Sequence, residues 1–184
     1  MRRIINSTYI SVDGVIKDPH LWPASGREDV DFRPTQWPLL DSSDALLMGR
    51  HTYDAFAPAW TSRGGDPFSD KMNNMPKYVA STTLTDPKWN NTTVLGTDAV
   101  EQIRRLKAEP GGNIVQYGFG QLSYALMARG LLDELRLWIH PVFVGGGGPD
   151  ALLYRQCPTT KLDHVRTETF KNGIVILTYH INSV

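Results

Sequence analysis

A chain of 184 residues, 41% hydrophobic and 21% charged, has the composition of an ordinary globular protein and can bury roughly 70% of its unfolded surface in one domain. Acidic and basic residues balance at 19 each, so no global field draws in nucleic acid or an anionic membrane. No apolar run approaches the roughly 18 residues of a membrane span, and the N-terminus MRRIINSTYISVDG lacks the apolar centre and small-residue cleavage pattern of an export signal. Cys157 is the single cysteine, which excludes an intrachain disulfide and fits a reducing cytoplasm. The five histidines are scattered without ligand spacing, so no metal site is expected.

Taken in chain order, Arg3 to Ser11 reads as a first strand stopped by the turn dipeptide Asp13-Gly14. Residues 19–33, rich in Pro, Trp, Gly and charge, read as a long loop. A short helix is expected from Pro34 to Ser43, and Ala45 to Met48 is a short apolar run suited to a buried strand. His51 to Ala57 then reads as a helix stopped by Pro58, and residues 61–76 as a second loop. Strands follow at Tyr78 to Ser81 and Thr92 to Leu95. Between Asp98 and Glu109 an amphipathic helix sets Val100, Ile103 and Leu106 on one face, with Asp98 as N-cap. Asn113 to Tyr117 is a strand, and Gln121 to Arg129 a helix closed by Gly130. Leu135 to Val144 reads as a long strand, and Lys161 to Phe170 with Ile174 to Ile181 as a hairpin around Asn172-Gly173. The alternation predicts one α/β domain over residues 1–184, with a mostly parallel central sheet and a C-terminal antiparallel hairpin.

Three strands end in small or hydroxyl residues before a turn or helix: Gly49-Arg50-His51-Thr52, Ser81-Thr82-Thr83 and Gly118-Phe119-Gly120-Gln121. A helix start leaves backbone N–H groups unpaired and carries partial positive charge. Glycine admits a ligand close to the backbone, arginine adds a bidentate fork, and threonine a hydroxyl. In a parallel sheet these C-terminal strand ends share one edge, where ligands of open α/β sheets bind. Gly118-Phe119-Gly120 imitates only part of the dinucleotide fingerprint, because Ser123 stands where the third glycine belongs.

With these residues in view, the chain resembles the dihydrofolate reductase-like fold, and within it the RibD C-terminal domain family. The resemblance covers nearly the whole chain through six blocks in order: Tyr9 to Gly14, Asp44 to Tyr53, Pro76 to Leu84, Tyr117 to Leu122, Gly130 to Leu137 and His140 to Gly147. It implies an NAD(P)H-dependent reductase that transfers hydride to a small heteroaromatic, pterin- or pyrimidine-like substrate, as in the reduction of a pyrimidine intermediate of riboflavin synthesis. It implies NADPH as cofactor, with NADH as the alternative, and a homodimer. Gly49, Arg50 and Thr52 would hold the cofactor diphosphate, with His51 adding charge near the adenosine end. Ser81 and Thr82 would face the adenosine ribose, and Gly118, Phe119, Gly120 and Gln121 the nicotinamide side.

Two departures stand out. Thr82 occupies the place where family members often carry an arginine for the 2′-phosphate of NADP, so Arg50, His51 or Lys77 would have to supply that charge. Phe119 replaces a small residue and would either stack on a ring or narrow the pocket. On the substrate side, hydride transfer leaves the hard chemistry to the cofactor, and a carboxylate facing a nitrogen heterocycle is the expected protein group. Asp13 and Asp31 are the candidates; each is also good local chemistry, Asp13 for a turn and Asp31 for a helix cap. Trp22, Phe56 and Trp60 would line an aromatic slot. A second reading, a non-catalytic binder of nucleotides or heterocycles on the same fold, stands beside the reductase.

Overall fold

The computed structural model describes residues 1–23, 32–146, 148–153 and 159–182. It is an α/β fold built on one eight-stranded sheet, with strands β1 (Ile4–Ser11), β2 (Ser43–Gly49), β3 (Lys77–Ala80), β4 (Thr92–Leu95), β5 (Asn113–Tyr117), β6 (Glu134–His140), β7 (Leu162–Thr169) and β8 (Val175–Ile181) in the order β4-β3-β2-β5-β1-β6-β8-β7. Five α-helices are described: α1 (Arg33–Asp41), α2 (Arg50–Thr61), α3 (Pro67–Asn74), α4 (Ala99–Ala108) and α5 (Gln121–Met127). The residues divide into two units, Met1–Ile5 with Phe32–Tyr117 and Asn6–Asp31 with Gly118–Val184.

In the first unit β2 pairs in parallel with β3 and with β5, and β3 with β4. The residues explain the arrangement. Ala45, Leu46, Leu47 and Met48 are all buried, the continuous apolar run of a strand covered on both faces. Leu39 and Leu40 of α1, Tyr53 and Ala57 of α2, and Phe68 and Met72 of α3 join Leu46, Met48, Val79 and Trp89 in one core cluster.

The sequence missed α3. Asp66 caps it by accepting from the Phe68 and Ser69 amides, both at 3.1 Å, with Pro67 in the first turn. The preceding Gly64-Gly65 concealed that start. Helix α2 likewise runs through Pro58 to Thr61 rather than stopping at it. Proline removes one i→i−4 bond, but Trp60, beyond it, stacks on Phe68 at 5.7 Å and packs edge-on to Phe56, which keeps the last turn in place.

In the second unit β8 lies between β6 and β7, antiparallel to both, and Gly173 turns the hairpin at φ 84°. The cross-strand pairs Leu135–Tyr179, Leu137–Leu177 and Ile139–Val175 put an apolar row on one face. On the opposite face Glu134, Arg136 and Trp138 stand beside His180, Thr178 and Ile176. Strand β6 ends at His140, short of the expected Val144. Pro141 has no N–H for the ladder, and Val142 and Val144 pack instead against Val15, Trp22 and Ala151. Helix α5 ends at Met127, and the Gly130 amide returns to the Met127 carbonyl at 3.0 Å with φ 61°.

Candidate functional site

The parallel register sets Gly49 opposite Ala80, so β2 and β3 end level in the first unit. Gly49 is the N-cap of α2 and has no side chain to satisfy the first-turn amides; a methyl group there would meet no atom within 4 Å. The helix start is therefore open at the backbone. Arg50, the first helical residue, donates from Nε to both carboxylate oxygens of Asp54, at 2.8 and 2.9 Å, and from Nη1 to Thr83 Oγ1 at 3.2 Å. Ser81 Oγ accepts from the Thr83 and Leu84 amides at 3.2 and 3.1 Å, which shapes the turn after β3. Thr82 and Thr83 are exposed on that turn, as is His51 on α2, and Thr52 is half-buried. Structure thus brings Gly49, Arg50 and the Ser81–Thr83 turn together in one unit.

In the second unit the turn before α5 is shaped by Gly118, whose φ of 74° favours glycine and whose carbonyl accepts from Asn6 Nδ2 at 2.8 Å. The Gly120 amide donates to Ser123 Oγ at 3.4 Å, so the serine in the third-glycine position serves the helix start. Phe119 turns its ring edge-on to Tyr124, with centroids 5.1 Å apart at 80°. Its aromatic partner among the described residues is α5 itself. Gln121 is exposed.

Asp13 accepts from the Ser11 hydroxyl and from the Gly145 and Val144 amides, the latter two at 2.9 and 3.2 Å. The serine hydroxyl first and the Gly145 amide next hold its carboxyl down at about 2, so it is ionised across the physiological range. Its hydrogen bonds to the Val144 and Gly145 amides tie it to the segment after β6. Asp31 lies outside the described residues.

Trp22 is a core residue, only 7% exposed, with its indole N–H donated to the Lys17 carbonyl at 3.0 Å and its ring against His140 at 5.7 Å. It packs with Val15 and Ala151 in a small core cluster of the second unit. Phe56 and Trp60 are half-buried on the first unit's core, and Phe56 packs on Tyr117 at 5.7 Å. Among the described residues no cluster of His, Cys, Asp and Glu fits a metal ion, and no helix is long and apolar enough to cross a membrane.

The model of the RibD C-terminal domain family matches residues 2–176. The chain belongs to that family. One relative, the uncharacterized protein YyaP of Bacillus subtilis strain 168, is 31% identical over 186 residues, covering 98% of this chain and 96% of its own. A candidate riboflavin biosynthesis protein from Shewanella sp. PV-4 superimposes with a TM-score of 0.73 at 22% identity over the full length of both chains. A pyrimidine reductase-like protein from Corynebacterium diphtheriae superimposes with a TM-score of 0.60 at 13% identity, over 100% of this chain and 93% of its own. At these identities the two structures establish the shared fold.

One residue of this RibD C-terminal domain was missed in the sequence. Asp54 carried a readable signal, its i,i+4 spacing from Arg50. Thr83 stood in the Ser81-Thr82-Thr83 strand end, but its meeting with Arg50 depends on the register of β2 and β3.

Proposed function

We propose that this RibD C-terminal domain is an NAD(P)H-dependent reductase of a small heteroaromatic substrate, with NADPH as the cofactor. One observation carries the reading most directly: an open helix start at Gly49 beside an arginine that leans onto the turn after β3. Dinucleotide phosphates need such a set of backbone amides, a guanidinium and hydroxyls. The first-turn amides of α2 and Thr52 suit the diphosphate. Arg50 hydrogen-bonds to Thr83, next to the Thr82 that stands in place of an arginine, so it suits the ribose 2′-phosphate. Bound there, the cofactor supplies the hydride; the protein orients it and excludes water. The likeness in fold to a pyrimidine reductase-like protein supports a pyrimidine-type acceptor.

A second reading, binding of a nucleotide or heterocycle without turnover, is favoured by Asp13, which is ionised and tied to Gly145. Incubation with NADPH deuterated at the transferable position and a set of pyrimidine and pterin acceptors separates the two. Deuterium in an acceptor supports the reductase. Cofactor binding with no deuterium in any acceptor supports the binder.

The proposal includes a homodimer. Its support is the row Leu137, Leu177, Ile139 and Val175, apolar side chains on one sheet face that are half-exposed in the single chain.

A further inference from the structure

We infer that Asp54 determines phosphate selectivity: its carboxylate holds Arg50 by the Nε edge and opposes the phosphate that distinguishes NADPH from NADH. The inference rests on the cofactor reading given above. Local helix energetics give neither residue a reason to be where it is. Arg50 is a cation at the positive end of the α2 macrodipole, and Asp54 lies beyond the first turn, where a carboxylate gains from it. The pair also runs arginine before aspartate, the weaker order for i,i+4 partners. With side chains 40% and 52% exposed, it contributes little as a surface ion pair. An arrangement that breaks local rules without a folding benefit points to function.

The geometry specifies that function. Both oxygens of Asp54 sit on Nε, and Nη1 reaches Thr83, so the outer edge of the guanidinium faces the turn after β3. An incoming phosphate monoester carries a charge of about −1.5 to −2 near neutral pH. It would share the guanidinium with a fixed carboxylate, and the two anions repel across it. NADH lacks that phosphate. Asp54 therefore lowers the affinity for NADPH and leaves that for NADH nearly unchanged, narrowing the preference between them.

Asp54→Asn isolates the charge, since asparagine keeps an oxygen acceptor for Arg50 Nε. The dissociation constants of NADPH and NADH are measured for both proteins by quenching of tryptophan fluorescence at low and high salt. The expected result is a roughly three- to ten-fold tighter NADPH complex in the variant, shrinking at high salt, with NADH changed by less than about two-fold. NADPH binding that is unchanged or weaker, or both cofactors tightening alike, overturns the role of Asp54 while leaving the cofactor reading in place. If neither dinucleotide binds the unmodified protein, the cofactor reading fails and the inference fails with it.

Discussion

Arg50 Nη1 donates to Thr83 Oγ1 at 3.2 Å, so the first residue of α2 is tied to the turn that follows β3. The contact joins two strand ends that the parallel register already sets level at Gly49 and Ala80. Arg50→Ala removes the charged donor from both. NADPH is expected to bind more weakly by about 1.5–3 kcal/mol, the range for a hydrogen bond to a charged group, and NADH by less. Isothermal titration with each cofactor checks this. An equal loss for both would move Arg50 to the diphosphate.

Asp13 is expected to act as an anchor. Replacing it with alanine frees the Val144 and Gly145 amides, so their hydrogen exchange accelerates while the β6 amides stay protected. Its folded carboxyl titrates at about 2, below the ordinary 3.8, so its contribution to stability is fully present above about pH 4 and is lost as pH falls through 2. Acid unfolding of Asp13→Asn should lack that component. Conversely, a pH–rate profile that loses an acid limb near neutrality in Asp13→Asn would make the residue a proton donor after all.

Lys77 is fully buried, with Nζ donated to the Asn73 and Met75 carbonyls at 2.7 and 2.8 Å and placed 4.6 Å from the centre of the Trp89 ring. Burial pulls its ammonium down from 10.5 to about 8. The unfolded chain therefore binds more protons between pH 8 and 10.5, and stability rises with pH across that window. Relative to Lys77→Met, the unmodified protein should gain on the order of 2–3 kcal/mol from pH 7 to 10.5 in urea unfolding. A difference that does not vary with pH would place the lysine in water.

Helix α3 should depend on its cap. Asp66→Ala leaves the Phe68 and Ser69 amides without their acceptor and is expected to cost about 1 kcal/mol of stability, read from the urea midpoint at constant slope. No shift of the midpoint would make the cap dispensable.

The sheet face of β6 and β8 provides a further check. Leu177→Glu puts a charge in the middle of the apolar row. Sedimentation should show a dimer for the unmodified protein and a monomer of unchanged fold for the variant. A monomer in both cases removes the homodimer.

Much of the fold was legible in the residues. Thr92 to Leu95 and Asn113 to Tyr117 form strands over the expected residues, because short β-branched and apolar runs between turn signals leave few alternatives. What escaped was whatever hydrophobicity alone does not encode. Val142 and Val144 are apolar like strand residues, yet they pack in a loop, since periodicity reports burial and not pairing. Pro58 was read as a stop because the aromatic contacts that hold the last turn of α2 come from α3, itself unforeseen. At the candidate site, Gly49 and Arg50 were visible as a motif. The loop-anchoring bonds of Asp13 and the meeting of Arg50 with the turn after β3 arise from tertiary register, which no local pattern contains.

Everything proposed for this RibD C-terminal domain depends on a nicotinamide dinucleotide binding at the open start of α2. Equilibrium titration of the unmodified protein with NADPH, followed by the fluorescence of its five tryptophans, tests it most directly. The expected result is saturable quenching at one cofactor per chain, displaced by NADP and weakened by rising salt. Fluorescence that stays flat to millimolar NADPH, beyond the usual range of cofactor affinity, would contradict it.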